Sequence, residues 1–266
     1  MIECLSLTNI PPFSTSTLEF SQINIIYGES DHFLRLLYIL RKFITSPYSN
    51  DTLHDHIAYL LGNTDYNITL YYEGKTLEAT PANTLYRQSN ALPPVYLPYT
   101  GLIQLHRLLD QHDMDIEQMY KDMIVLMNRK SVSNRTDSRI YDSYLFMLHK
   151  CQALLNGHGF YDSRRAQFTF KKSGIEVPLH WMNSTDKVLA SLEWFIHKGG
   201  LLGDGCLFWE QVNICNTQLL CELIDAISSR NQIFLTTTNN NILSSLVTEL
   251  SNDKLAVFNC KDLIAM

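Results

Sequence analysis

Residues 25 to 40, Ile-Ile-Tyr-Gly-Glu-Ser-Asp-His-Phe-Leu-Arg-Leu-Leu-Tyr-Ile-Leu, read as a buried strand, a glycine turn and an apolar helix. That layout is the one in which backbone N–H groups at a helix start hold phosphate. The chemistry of such a turn needs converging glycines, a lysine for the phosphate charge and a hydroxyl for magnesium. Here only Gly28 is present. With Gly28 as the first glycine of G-x-x-x-x-G-K-[ST], Phe33 takes the second glycine, Leu34 the lysine and Arg35 the hydroxyl. An aromatic ring and an aliphatic chain cannot perform those roles, and a lone glycine between strand and helix is common for backbone reasons alone.

Three further segments set the turn in a wider pattern. The chain opens with Leu5-Ser6-Leu7-Thr8-Asn9-Ile10, a second strand at Thr17-Leu18-Glu19-Phe20, and then Ile23-Asn24-Ile25-Ile26-Tyr27-Gly28-Glu29. Near the other end, Gly205-Cys206-Leu207-Phe208-Trp209-Glu210-Gln211-Val212-Asn213 is a buried strand ending in polar residues. A helix from Asn216 to Ser229 follows, then Gln232-Ile233-Phe234-Leu235-Thr236-Thr237-Thr238. Between these, Pro178 to Lys187 leads into an apolar-periodic helix through Phe195.

In this order and spacing the segments resemble ABC-type ATPases related to the chromosome-maintenance (SMC) and DNA-repair ATPases, of the kind called AAA family ATP-binding proteins in bacterial defence loci. The resemblance spans both ends of the chain. It implies an α/β ABC-ATPase-like fold, a mixed sheet core with flanking helices and an inserted helical lobe. It also assigns roles by position. Glu210 stands at the Walker B aspartate and Gln211 at the catalytic glutamate, where an amide cannot serve as a base. Thr238 stands at the switch histidine. Asn183 and Thr185 replace the serine and glycine of the signature motif, while Lys187, Ala190 and Leu192 match it. All four motifs have lost chemical groups, so the resemblance implies a degenerate site without catalytic residues, cofactor or metal, in a pseudo-ATPase that acts as a scaffold or regulator.

Three function classes follow: a scaffold or adaptor for a protein partner, a nucleotide-binding switch that does not hydrolyse, and a nucleic-acid-binding subunit of a DNA-processing complex. The partner expected under the first is a second copy or a different subunit, such as an active ATPase, a nuclease or a toxin in antiviral defence. In the resembled family the surface around the P-loop and signature motif is the dimer face. Trp181, Met182 and Val212, with Phe33 and Ile214, are therefore expected to form an exposed apolar contact there. Phe33 and Leu34 are also expected to pack where nucleotide would sit.

The organisation expected is residues 1–100 as the first part of the core, 101–160 as a helical insertion and 161–266 as the second part of the core. A hairpin is expected at Asn67–Thr80 around Glu73-Gly74-Lys75, and a short strand in Pro93–Pro98. The polar stretch 128–139 carries Arg129, Lys130, Arg135 and Arg139. A second hairpin carries Arg164, Arg165, Lys171 and Lys172 around Phe168 and Phe170. Cations among aromatics suit a nucleic-acid strand, and they equally suit a solvated loop. His54, His56, Asp51 and Asp55 are read as capping and surface residues ahead of an apolar helix at Ile57–Leu61 rather than as metal ligands.

The 266 residues are 45% hydrophobic and 18% charged, enough to bury one core. A net charge of −6 offers no general attraction to nucleic acid. Six cysteines without a C-x-x-C pair fit reduced thiols. The start of the chain lacks a basic segment followed by an apolar one, and no apolar run reaches membrane length, so a cytoplasmic location is expected.

Overall fold

The computed structural model describes residues 1–8, 16–29, 31–46, 49–62, 65–99, 122–123, 125–126, 129–132, 137–162, 167–178 and 181–263. Its centre is a parallel sheet in the order β13-β3-β12-β11-β7, built from β3 (Ile23–Tyr27), β7 (Val95–Leu97), β11 (Cys206–Trp209), β12 (Gln232–Thr237) and β13 (Leu255–Asn259). Every residue of β7, β11 and β12 is buried, which explains why these strands read as continuous apolar runs rather than alternations.

A second sheet, β2-β1-β4-β5-β6, is antiparallel and comprises β1 (Ile2–Thr8), β2 (Ser16–Glu19), β4 (Asn67–Tyr72), β5 (Lys75–Thr80) and β6 (Asn83–Tyr86). The β4–β5 turn is Glu73-Gly74, with φ of 53° and 64°, the doubly left-handed geometry that matches strand twist in two-residue hairpins. The expected hairpin is present. β6 was not anticipated.

Helix α1 (Asp31–Thr45) lies between the two sheets, which accounts for burial of eleven of its fifteen residues. Tyr38 meets Phe208 and Tyr96 of the parallel sheet, while Phe43 meets Tyr86 of the antiparallel one. Helix α2 (Asn50–Leu61) packs beside α1 and is capped by the hydroxyl of Ser49. It therefore begins earlier than Ile57, and His54, His56, Asp51 and Asp55 lie inside it. His54 is not a surface residue ahead of the helix: its ring hydrogen-bonds Tyr66 and, at 3.2 Å, Thr84, tying α2 to the antiparallel sheet.

Helix α3 (Ser138–Leu155) lies against α4 (Ser184–His197) and α5 (Thr217–Ser228), which reach the parallel sheet through β7 and β12. Lys150 pairs with Glu222 at 2.5 Å, and Gln152 donates to Glu193 at 2.8 Å. A third sheet, β10-β9-β8, is formed by β8 (Gly157–Asp162), β9 (Gln167–Lys172) and β10 (Ile175–Pro178). β8 straddles the expected boundary at residue 160, because its partner strand lies beyond it. Helices α6 (Asn240–Glu249) and α7 (Cys260–Leu263) are the last two α-helices among the described residues. No helix among the described residues is long and apolar enough to cross a membrane.

Candidate functional site

The C-terminal ends of β3, β11 and β12 bring the motif residues together. At the end of β3, Gly28 has φ of 120°, and a Cβ there would stand 2.7 Å from the Cβ of Cys260 in α7. The Cys260 thiol in turn donates to the Glu29 carbonyl at 3.2 Å. Glycine at this position is required by close approach of the C-terminal segment, with no reference to phosphate. Helix α1 is already wound at Asp31, so Asp31, His32 and Phe33 are helical. Phe33 and Leu34 point into the core, 1% and 0% exposed.

Asp31 places a carboxylate in the first turn of α1, where the helix dipole favours negative charge. It accepts from the Gln211 side-chain amide at 2.9 Å and from the Thr236 hydroxyl at 3.5 Å. Gln211 sits at φ of 46°, held there by its N–H to the Thr236 hydroxyl at 2.8 Å. A left-handed non-glycine residue persists only where its surroundings over-determine it.

Glu210, the residue after β11, is the centre of the cluster. The Arg35 Nε donates to its Oε1 at 3.0 Å, and the Tyr96 hydroxyl donates to the same oxygen. The Tyr99 N–H reaches Oε2 at 3.3 Å. The side chains of Glu210 and Arg35 are 5% and 22% exposed, so the pair is largely out of water. Burial and the neighbouring carboxylate push the Tyr96 phenol far above its ordinary range. Burial works against the Arg35 charge, yet Tyr96 and Glu210 hold the guanidinium still more firmly protonated. A neutral phenol donor, a fixed cation and a carboxylate therefore satisfy one another. The adjoining cleft, between β11 and the start of α4, amounts to about 40 Å³.

Asn183 caps α4 by accepting from the Asp186 N–H at 2.7 Å, and the Thr185 hydroxyl donates to the Asn213 carbonyl at 3.3 Å. Thr238 is exposed just beyond β12. The expected apolar contact surface is not assembled. Trp181 is 75% exposed, but Met182 is 6% and Val212 1% exposed. Val212 is drawn inward because its N–H bonds the Thr236 carbonyl at 2.8 Å and its carbonyl accepts from the Thr237 hydroxyl at 2.9 Å. Phe33 and Ile214 are buried as well.

Among the basic residues, Arg129, Lys130, Arg139 and Lys171 are exposed, and Lys172 lies 3.8 Å from Asp186. Arg135, Arg164 and Arg165 lie outside the described residues. Asp31, Tyr96, Tyr99 and Thr236 are members of the cluster that sequence reasoning did not single out. The proline-bounded strand carrying Tyr96 was visible, but nothing in it signalled that the phenol reaches a residue 114 positions away.

No family model and no curated protein matches the chain. Solved structures do match in fold. One is the SmcHead bound to the C-winged helix domain of ScpA, at 12% identity and a TM-score of 0.57 over 92% of this chain and 91% of that one. Another is the Smc head domain with an extended coiled coil bound to the C-terminal domain of ScpA derived from Pyrococcus furiosus, at 9% identity and a TM-score of 0.50 over 92% and 91%. The chain has the ABC-ATPase-like head fold that its motif order implied.

Proposed function

We propose that this chain is a pseudo-ATPase head, a scaffold or regulatory subunit whose assembly does not depend on nucleotide. The observation that carries the reading is the Arg35 guanidinium on Glu210 at 3.0 Å. In the resembled family this pair of positions supplies the hydroxyl and the acid that hold magnesium. Here the acid is neutralised by a cation of the protein itself. Admitting a divalent ion would expel a guanidinium from a mostly buried carboxylate, and leaving one buried charge unpaired costs several kcal/mol.

Two more features support the same reading. The Asp31 carboxylate occupies the helix start that would face phosphate, and like charges repel. Gln211 directs its amide to Asp31, and an amide cannot take a proton from a water. The two SMC heads described above are bound to a domain of ScpA, which favours a protein as partner here. A role in antiviral defence rests on the sequence resemblance alone.

The test is hydrolysis together with thermal stability in ATP with and without Mg²⁺. No turnover above buffer and no Mg²⁺-dependent rise in Tm are expected, since ligand stabilisation vanishes when Kd far exceeds concentration. Turnover, or a Mg²⁺-dependent rise that Glu210→Gln abolishes, would overturn the proposal.

A further inference from the structure

At the opposite ends of the same parallel strands lies a much larger opening. Gln22 precedes β3, Gly205 precedes β11, Gln232 begins β12 and Lys254 precedes β13. Around them are two clefts of about 670 and 340 Å³ that share Gln22, Asp204 and Arg230. The larger falls within the ~300–1,000 Å³ typical of small-molecule sites. With strands rising ~3.3 Å per residue, it is roughly 15–20 Å from Glu210.

Its polar lining is uneven. At the end of α5 the free carbonyls are already used: Ser228 O and Asn231 O both accept from the Gln22 side-chain amide, at 2.9 and 2.8 Å. Ile227 O accepts the backbone N–H groups of Arg230 and Asn231 at 3.3 and 3.0 Å. The backbone of Arg230 is fixed from the other side too, its carbonyl accepting the Asp204 N–H at 3.0 Å. Its side chain is treated differently. No ion pair engages the guanidinium among the described residues. Gly203, at φ of 145°, runs alongside it, with the place of its missing Cβ 3.6 Å from Nη1. Asp204, at φ of 55°, continues the same left-handed bend.

The second cation is loosely held. Lys254 stands 3.7 Å from Asp225, with the two side chains 46% and 62% exposed, and such pairs contribute little. Leu92, Ile140 and Leu202 supply an apolar wall, and the Asp204 carboxylate supplies an acceptor.

We propose that this cleft binds a small phosphomonoester on a hydroxylated carrier, with the phosphate on Arg230 and Lys254. A planar guanidinium with its donors uncommitted suits two phosphate oxygens at once. A carboxylate beside it disfavours a bare polyanion and calls for a donor on the ligand, which a sugar hydroxyl supplies. The apolar wall receives the carrier's ring face. The proposal is independent of the Arg35–Glu210 pair.

The experiment is calorimetry and thermal shift of the full chain with ribose 5-phosphate, and with ribose as the control lacking phosphate. Ribose 5-phosphate should raise Tm and ribose should not. Arg230→Gln should weaken binding by at least ~10-fold, and Lys254→Gln by about threefold, as expected for a bidentate and a point-charge phosphate contact. Lys171→Gln, which removes an exposed cation on β9 outside the cleft lining, should leave the affinity unchanged. No response to ribose 5-phosphate, an equal response to ribose, or an undiminished response in both cation variants would overturn the site.

Discussion

The two ends of the parallel sheet solve the same problem in opposite ways. At the C-terminal ends, where open α/β folds usually place ligands, Arg35, Tyr96 and Tyr99 converge on Glu210, and Gln211 and Thr236 on Asp31. The remaining space is about 40 Å³. At the N-terminal ends the backbone of Arg230 is hydrogen-bonded, its side chain has no ion pair among the described residues, and about 670 Å³ stays open. Charge paired within the protein closes a site, because a ligand must first displace an internal partner. Charge left beside an open cleft invites one.

The strongest way to break this contrast is to rebuild the phosphate-binding pattern at the closed end. Phe33→Gly with Leu34→Lys removes a ring and an aliphatic side chain that are 1% and 0% exposed and buries an amine among apolar neighbours. A loss of at least ~5 kcal/mol in urea unfolding, or failure to fold, is expected, with no gain in ATP turnover. Turnover in that variant would show a latent site.

Next in size is the pair itself. Glu210→Ala strands a guanidinium and a phenol and should cost about 3–5 kcal/mol by the same measurement. The double variant Arg35→Met with Glu210→Leu should be far less damaging, since both charges go together. Equal losses would mean that Glu210 acts by packing rather than by charge.

A third test compares Glu210 with another buried acid, Glu193, which has amide donors but, among the described residues, no such cation against it. Glu193 is 1% exposed and accepts from Gln152 at 2.8 Å and from the Gly159 N–H at 2.7 Å. His197 Nε2 is 4.0 Å away, and burial pushes the imidazole below its ordinary value, with Lys198 and His158 adding to the shift. Burial raises the Glu193 carboxyl to about 7, against the opposing pull of those two hydrogen bonds. An acid raised in the folded state stabilises the fold least when ionised, so stability should fall as pH rises from about 4.5 through about 7. The decline should be up to ~3 kcal/mol and should flatten in Glu193→Gln, with His197 titration left in both curves. A parallel pH dependence in the two proteins would refute the assignment.

Much of the fold was legible because hydrophobic period is local. The apolar runs of β3, β11 and β12, the Glu73-Gly74 turn, the start of α1 and the proline-bounded β7 each carry their signal within a few residues. Elements with weaker local signals, β6, β8, β13 and α6, went unread. The short run of β13, Leu-Ala-Val-Phe-Asn, is only partly buried and is held as a strand by pairing with β3.

Sequence by itself determined which side chains stand where the resemblance would place a lysine, a hydroxyl and a glutamate: Leu34, Arg35 and Gln211. Tertiary structure decided what those groups do. Arg35 meets Glu210 across 175 positions, and Gly28 is demanded by Cys260 near the other end of the chain. Val212, beyond a strand end, and Met182, ahead of a helix, turned inward although an apolar residue at such a place reads equally well as surface or core. The reason is physical: composition and period constrain a residue's own backbone and face. Neutralisation of a charge and burial of a side chain depend on which distant segment arrives, and only the folded chain settles that.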